Sequence, residues 1–489
     1  MACDGRDHRG TLRLAARTAR CSTRSLKTML PDLRTEIPGP ESLRLAEELR
    51  RYESRNVTFT NEDFPIFWHS AEGVNVWDVD GNRFLDLTSA FAVASLGHGT
   101  PPVLNALQAQ AGRLIHAMGD VHPTREKAEL CRLLSEITFE RWNCGTGRTV
   151  LTNSGSEAVE AALKTALLHS GKPGVISFTG GYHGLGHGAL EAGGIPFFRE
   201  PFRAQLGRFS VQLPFPSCYR CPFGCRDGFR LTGRHFPNCS TACLAELRSQ
   251  IETTLQQREI GAILVEPVQG RGGEVVPPRD FLRMLREVCD AHKVLLILDE
   301  IYTGFHRTGR LFACEYSEVA PDLVCLGKAM ASGFPISACV GRSDVMDAWP
   351  ESRGEALHTS TYLGNPLGCA MAVASIRQHL KPETASLVRG TSSALDHALG
   401  LLHSDRIGDV RGVGLMRGIE LVLPDGAPDA ALAGRIVVQS LNDGLILLAG
   451  SPAGNVLSLT PPFGIDETEI AFAIAKIQEY LTSLPGSIS

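Results

Sequence analysis

No stretch of this 489-residue chain holds the ~18 consecutive apolar residues a membrane-spanning helix needs, which excludes a helical span at the level of sequence. Charge of one sign is equally lacking. The 48 Lys and Arg residues face 53 Asp and Glu, a net charge of −5, so nothing global points to nucleic acid or an anionic membrane as partner. Internal repeats and low-complexity linkers are absent, which removes solenoids and disordered tethers. Residues 1–27 have no apolar core for a secretory signal. They carry Arg6, Arg9, Arg13, Arg17, Arg20, Arg24 and Lys27 against only Asp4 and Asp7. Such an extension serves either organelle import or nothing in the fold, and the second reading is taken, with the protein in the cytoplasm. Fourteen cysteines sit largely in core-like runs (Cys289, Cys325, Cys339, Cys369) and suit buried thiols in a reducing compartment better than a disulfide framework.

What remains, at 43% hydrophobic and 21% charged, is the composition of an ordinary globular chain of two or three domains. The spacing predicts a helix from Glu41 to about Tyr52. A hairpin follows over Asn75–Leu87, where apolar residues alternate on both sides of Asp80-Gly81. Helical patterns cover Pro102–Ile115 and Thr124–Ile137. From Thr149 to about Cys339, strand-length apolar runs alternate with helical stretches: Thr149–Leu151, Val175–Phe178, Ala262–Glu266, Val294–Asp299 and Leu323–Gly327. That rhythm predicts an α/β fold with a mostly parallel sheet. After about Ser375 a smaller α+β module is expected, with strands near Gly414–Val422 and Val456–Thr460 and a last helix Glu467–Leu484. The resulting division is an extension 1–35, a first part of a small domain 36–95, a large domain 96–370 and the rest of the small domain 371–489.

Residues 215–245 interrupt the rhythm. Cys218, Cys221, Cys225, Cys239 and Cys243 crowd into 26 residues, but their spacing is not a pair of C-x2-C knuckles and only His235 accompanies them. The segment is read as a structural insertion without metal.

Two of the apolar runs end abruptly in a charged group: Leu295–Leu298 in Asp299-Glu300, and Leu323–Leu326 in Gly327-Lys328. Strands of a parallel sheet are buried on both faces, and ligands bind beyond their carboxyl ends. An acid and an amine placed there suit the two ends of pyridoxal phosphate, which needs an amine for its Schiff base and a carboxylate to keep its ring nitrogen protonated. Other strand ends agree. Ser154-Gly155-Ser156 opens a helix in the manner of a phosphate turn. Tyr182, followed by His183 and set among Gly180, Gly181 and Gly184, can lie on a heteroaromatic ring. Glu266-Pro267-Val268-Gln269-Gly270 aims an acid and an amide at the same sheet edge. Gly412-Val413-Gly414-Leu415-Met416-Arg417-Gly418 superficially suggests a dinucleotide turn, but it is one residue too long and leads into a strand-like run.

In the stretch Leu298 to Gly309 and on through Lys328, the sequence resembles the class III (subgroup II) pyridoxal-phosphate aminotransferases, the family of ornithine, acetylornithine and 4-aminobutyrate aminotransferases. The likeness runs from about Asn75 to Leu484. It implies a fold-type I homodimer with its small domain built from both chain ends, acting on a small-molecule amino donor and an oxo acceptor. It also implies that Lys328 is the Schiff-base lysine and Asp299 the partner of the ring nitrogen. Ile301 would pack under the ring opposite Tyr182, with Gln269 near its phenolic oxygen, and Gly155 and Ser156 would hold the phosphate. Thr361 would be lent to the other subunit's phosphate. An aminomutase, racemase or lyase on the same cofactor stays open.

The chain departs from that family at the substrate. Relatives that take α-amino acids or 2-oxoglutarate place a carboxylate-binding arginine where this chain has Ser458, and often a glutamate where it has Arg271. The candidate substrate contacts are therefore Glu266, Arg271 and Ser458, with Arg271 expected to hold an anionic end.

Overall fold

The computed structural model describes residues 28–224 and 240–484. Helix α1 (Pro40–Tyr52) begins the chain's regular structure, with Pro40 at its first turn, where a missing N–H costs nothing. Strands β1 (Trp68–Glu72), β2 (Asn75–Asp78) and β3 (Arg83–Asp86) then form an antiparallel meander, and the expected turn at Asp80-Gly81 joins the last two. Helices α2 (Pro101–Ala111) and α3 (Arg125–Ile137) follow. The first ends four residues short of its expected limit. Gly112 caps it, and residues 114–121 run irregularly over the surface against residues 357–365, where Asn365 Nδ2 donates to the Ile115 carbonyl at 3.2 Å.

The central sheet comprises β4 (Gly147–Thr152), β5 (Gly174–Phe178), β6 (Ser210–Leu213), β7 (Ile260–Val265), β8 (Leu295–Asp299), β9 (Leu323–Leu326) and β10 (Ser337–Arg342), in the spatial order β4-β10-β9-β8-β7-β5-β6. β10 is antiparallel to both neighbours and the remaining pairs are parallel, so six strands end at one edge. Each central strand buries both faces. In β8, Leu296 and Leu298 meet a core built with α3 and the helices Ser240–Gln257, Phe281–His292 and Pro366–His379. Leu295 and Ile297 meet the opposite core, built with the helix α4 (Gly155–Ser170). Polar Ser210 and Gln212 on the edge strand β6 explain why no apolar run marked it.

A third core joins both ends of the chain. Val74, Leu85 and Leu87 pack with Val388, Ile419, Leu457 and Ile474, and the short strand β13 (Leu445–Ile446) pairs in parallel with β3. Strands β11 (Ile407–Val413), β12 (Met416–Leu421), β14 (Leu448–Gly450) and β15 (Val456–Leu459) make the antiparallel sheet of this part, ordered β11-β12-β15-β14. The glycine-rich run at 412–418 is the β11–β12 hairpin, its turn made possible by left-handed Gly412 and Gly414. No helix follows it, so no helix N-terminus is there to receive a pyrophosphate. The last helix, Glu467–Ser483, starts on a capping box between Asp466 and Glu469.

Of the cysteine-rich segment, Cys225, Cys239 and the intervening residues lie outside the described residues, as do residues 1–27. Its first part packs on the antiparallel sheet, where Arg220 pairs with Glu420 and also donates to the Gly426 carbonyl at 3.2 Å. Among the described residues, no three His, Cys, Asp or Glu converge as metal ligands would.

Candidate active site

Five loops leave the carboxyl edge of the central sheet, after β4, β5, β7, β8 and β9, and they carry the residues singled out above. After β4, Ser154 caps α4 by accepting from Glu157 N at 3.3 Å, which leaves the first N–H groups of the helix directed at the sheet edge. Gly155 lets Ile301 approach closely: a Cβ there would lie 2.9 Å from Ile301 Cδ1, so that side chain would have to shift. Ser156 Oγ accepts from Gly186 N at 2.9 Å, tying this turn to the loop after β5.

That second loop presents Tyr182 and His183. The Tyr182 N–H donates to Glu266 Oε1 at 2.8 Å, and Glu266 Oε2 accepts from Gly270 N at 3.0 Å. Glu266 thus braces two loops with both oxygens, and its burial raises its carboxyl to about 7. Gln269 is also buried and donates to the Thr179 carbonyl at 2.8 Å.

Asp299 ends β8 almost fully buried. Its Oδ2 lies 2.9 Å from His183 Nδ1 and its Oδ1 accepts from Ile301 N at 3.1 Å. Burial opposes a charged His183 imidazole, but the hydrogen bond and charge of Asp299, with Glu266 behind it, outweigh burial and raise its pKa. The pairing of His183 with Asp299 was not visible in the sequence, because the two are 116 residues apart.

Glu300 is buried too. It accepts from Ala313 N at 3.0 Å and Cys314 N at 2.8 Å and bonds Thr303, folding the Thr303–Gly309 segment back on the sheet. That places Arg307, fully buried, across to the third core, where it donates to the carbonyls of Leu415 (3.0 Å) and Pro461 (2.8 Å) and to Ser95 Oγ (2.7 Å).

Lys328 follows β9 at φ +44, a left-handed conformation that is costly for a lysine and that the surrounding structure must hold. Its Nζ stands 4.1 Å from the centroid of the Tyr302 ring. Burial foremost brings its pKa down from 10.5 to about 8, against the pull of Asp299 and Glu266. Tyr302, a residue the sequence analysis passed over, has its hydroxyl near the Thr460 and Ser458 side chains. Ser458 Oγ in turn donates to Glu274 Oε1 at 2.5 Å.

Arg271 is exposed and lies over the Tyr182 and Phe198 rings, 5.5 and 5.0 Å from their centroids. It borders a groove of about 1270 Å³ lined by Phe59, Leu185, Phe197 and Phe202 among others. Thr361 is exposed, though its neighbour Ser360 accepts from Asn153 Nδ2 at 3.2 Å, beside the turn that opens α4.

The family model for class-III aminotransferases matches residues 58–481. The chain is 36% identical over 445 residues to a 4-aminobutyrate aminotransferase of Mycobacterium leprae, covering 89% of this chain and 95% of that protein. It is 35% identical to an acetylornithine aminotransferase of Methanopyrus kandleri, covering 86% and 96%. Among solved structures, an amine transaminase from an uncultivated Pseudomonas species superposes with a TM-score of 0.77 at 28% identity, over 88% of this chain and 98% of that one.

Proposed function

Because the chain belongs to the class III aminotransferase family, and so is a pyridoxal-phosphate-dependent transaminase, we propose that Lys328 and Asp299 are its catalytic pair. The observation that carries this is the convergence of a desolvated amine and a buried, histidine-backed carboxylate at one sheet edge. The residues present fit the cofactor on their own chemistry. Lys328 offers an amine that burial makes easier to deprotonate, Asp299 offers an acceptor, and the helix N-terminus at Gly155 and Ser156 suits a phosphate. When bound, pyridoxal phosphate supplies an electron sink for the carbon that bears the amino group. The protein's part is to hold and protonate. Lys328 Nζ would carry the cofactor and move the proton to and from the substrate carbon. Asp299 keeps a proton on the ring nitrogen, and His183 holds Asp299 in place. Tyr182, Ile301 and Gln269 would hold the cofactor's ring. Arg271, at the mouth, takes the anionic end of an acidic partner, and the protein works in the cytoplasm.

Cofactor uptake should follow the Lys328 amine. Only the neutral amine attacks an aldehyde, so the rate at which cofactor-free protein takes up pyridoxal phosphate rises about tenfold per unit up to the lysine's pKa. Rapid-mixing absorbance against pH is expected to level off near pH 8. A rise continuing toward 10.5 would mean that the amine is solvated.

The functional unit is a homodimer. Ile115, Met118, Val121, Leu357 and Tyr362 are 55–68% exposed. They lie on two segments that pack together through the His116–Tyr362 ring contact, and an apolar surface of this kind marks an interface. Beside it, the exposed Thr361 would be lent to a partner's phosphate. Ile115→Asp should weaken the dimer by roughly 30-fold or more, the effect of about 2 kcal/mol at an interface hot spot, and activity should fall in parallel. Light scattering across a dilution series reads the mass. A wild-type protein that is an active monomer would refute the assignment.

A further inference from the structure

Glu274 is 2% exposed and sits on the tight Gly270–Glu274 turn at φ +50, where its N–H donates to the Gly270 carbonyl at 3.1 Å. One carboxylate oxygen accepts from Ser458. The other, Oε2, has no hydrogen-bond partner among the described residues. The nearby cation, Arg411, is already engaged: its Nε donates to the Gly273 carbonyl at 2.8 Å and its Nη1 pairs with Glu420 and with Asp409. An unmatched buried carboxylate oxygen costs on the order of 1–3 kcal/mol, more when charged, so a site that retains one is built to receive a donor. Its place is informative. Ser458 bonds Glu274 and lies near the Tyr302 hydroxyl, and the Tyr302 ring is the surface against which Lys328 Nζ stands.

We propose that Glu274 is a specificity-determining residue that seats a second, cationic end of the amino donor, making α,ω-diamines the preferred donor class. An ammonium brings three donors and a positive charge, enough for Oε2 and for neighbouring hydroxyls. A distal carboxylate in the same place would be desolvated without gaining an ion pair, and a methyl end would leave Oε2 unmatched. Burial pushes the Glu274 carboxyl up to about 8, so an arriving ammonium displaces its proton and turns a neutral acid into a paired carboxylate. In the overall transfer the diamine's terminal CH₂–NH₃⁺ carbon loses two electrons and its ammonium, takes oxygen from water and becomes an aldehyde, while the oxo acid's oxygen leaves as water. The 2-oxo acid gains those electrons and the amino group and becomes an amino acid. The second ammonium is unchanged.

This inference rests on the aminotransferase reading, and the experiment separates the two. Holoenzyme and its Glu274→Gln variant are assayed with pyruvate as acceptor and 1,4-diaminobutane, butylamine or 4-aminobutyrate as donor. Binding of the first two is also measured by calorimetry. Wild type should favour the diamine over butylamine by about tenfold or more in both kcat/KM and Kd, the effect of one charge-assisted hydrogen bond, and 4-aminobutyrate should rank last. In Glu274→Gln, which keeps shape and hydrogen-bonding capacity but not charge, the diamine-to-butylamine ratio should collapse toward unity. A wild-type ratio near unity, or a large ratio that survives in the variant, overturns the proposal. Failure to transfer an amino group from any donor would count against the aminotransferase reading, while the calorimetric ratio would still decide the role of Glu274.

Discussion

Replacing Lys328 with alanine is expected to yield a folded dimer that transfers no measurable amino group. The amine stands at the end of a buried strand, and burial has already brought it to a pKa of about 8. On the proposed assignment it would do two jobs: hold the cofactor and shuttle the proton at the substrate carbon. Loss of the shuttle alone is worth about 10²–10⁴ in rate, and loss of the covalent anchor adds to it. The fold should survive, because a depressed lysine pKa works against the folded state. The folded protein gives up this proton near pH 8, whereas the unfolded chain holds it up to 10.5. Stability therefore rises with pH across that window, and below it the burial penalty stands in full. Cofactor-free Lys328→Ala should accordingly melt no lower than the cofactor-free wild type at pH 7, and calorimetry checks this. Turnover within tenfold of wild type would end the assignment.

Asp299→Asn is the second large effect. Asparagine keeps the shape and still offers an oxygen to Ile301 N, but it removes the charge that faces His183 at 2.9 Å. On the proposed pairing, a proton on the cofactor's ring nitrogen would then lack its buried counter-ion. Removing one preorganised electrostatic partner typically costs about 10²–10³ in rate, and that loss is expected in kcat with little change in cofactor content. His183 should also become less basic, because the Asp299 hydrogen bond and charge hold its pKa up. Wild-type kcat at full cofactor occupancy would show that Asp299 serves only to position His183.

Much of this was legible before any coordinates. β7, β8 and β9 read as continuous apolar runs because both of their faces are covered, and Asp299 and Lys328 stood out as charges that end such runs. The Asp80-Gly81 hairpin and the last helix declared themselves through local turn and periodicity signals. Edge strand β6 and antiparallel β10 did not, since an edge tolerates polar residues and strand direction leaves no mark on an apolar run.

By itself, then, the sequence determined the α/β architecture, the family and the order of the strand ends that carry the cofactor-binding candidates, because these depend on local periodicity and on charges next to apolar runs. Only the tertiary structure decided what surrounds them. It brought His183 onto Asp299 and made Glu266 a brace between two loops. It stacked Arg271 on aromatic faces beside a surface groove, and it carried Glu274 to Ser458 across 184 residues of chain. Such contacts come from segments that meet only when the sheet closes and the two chain ends share a core, and no spacing along the chain encodes a distance across it.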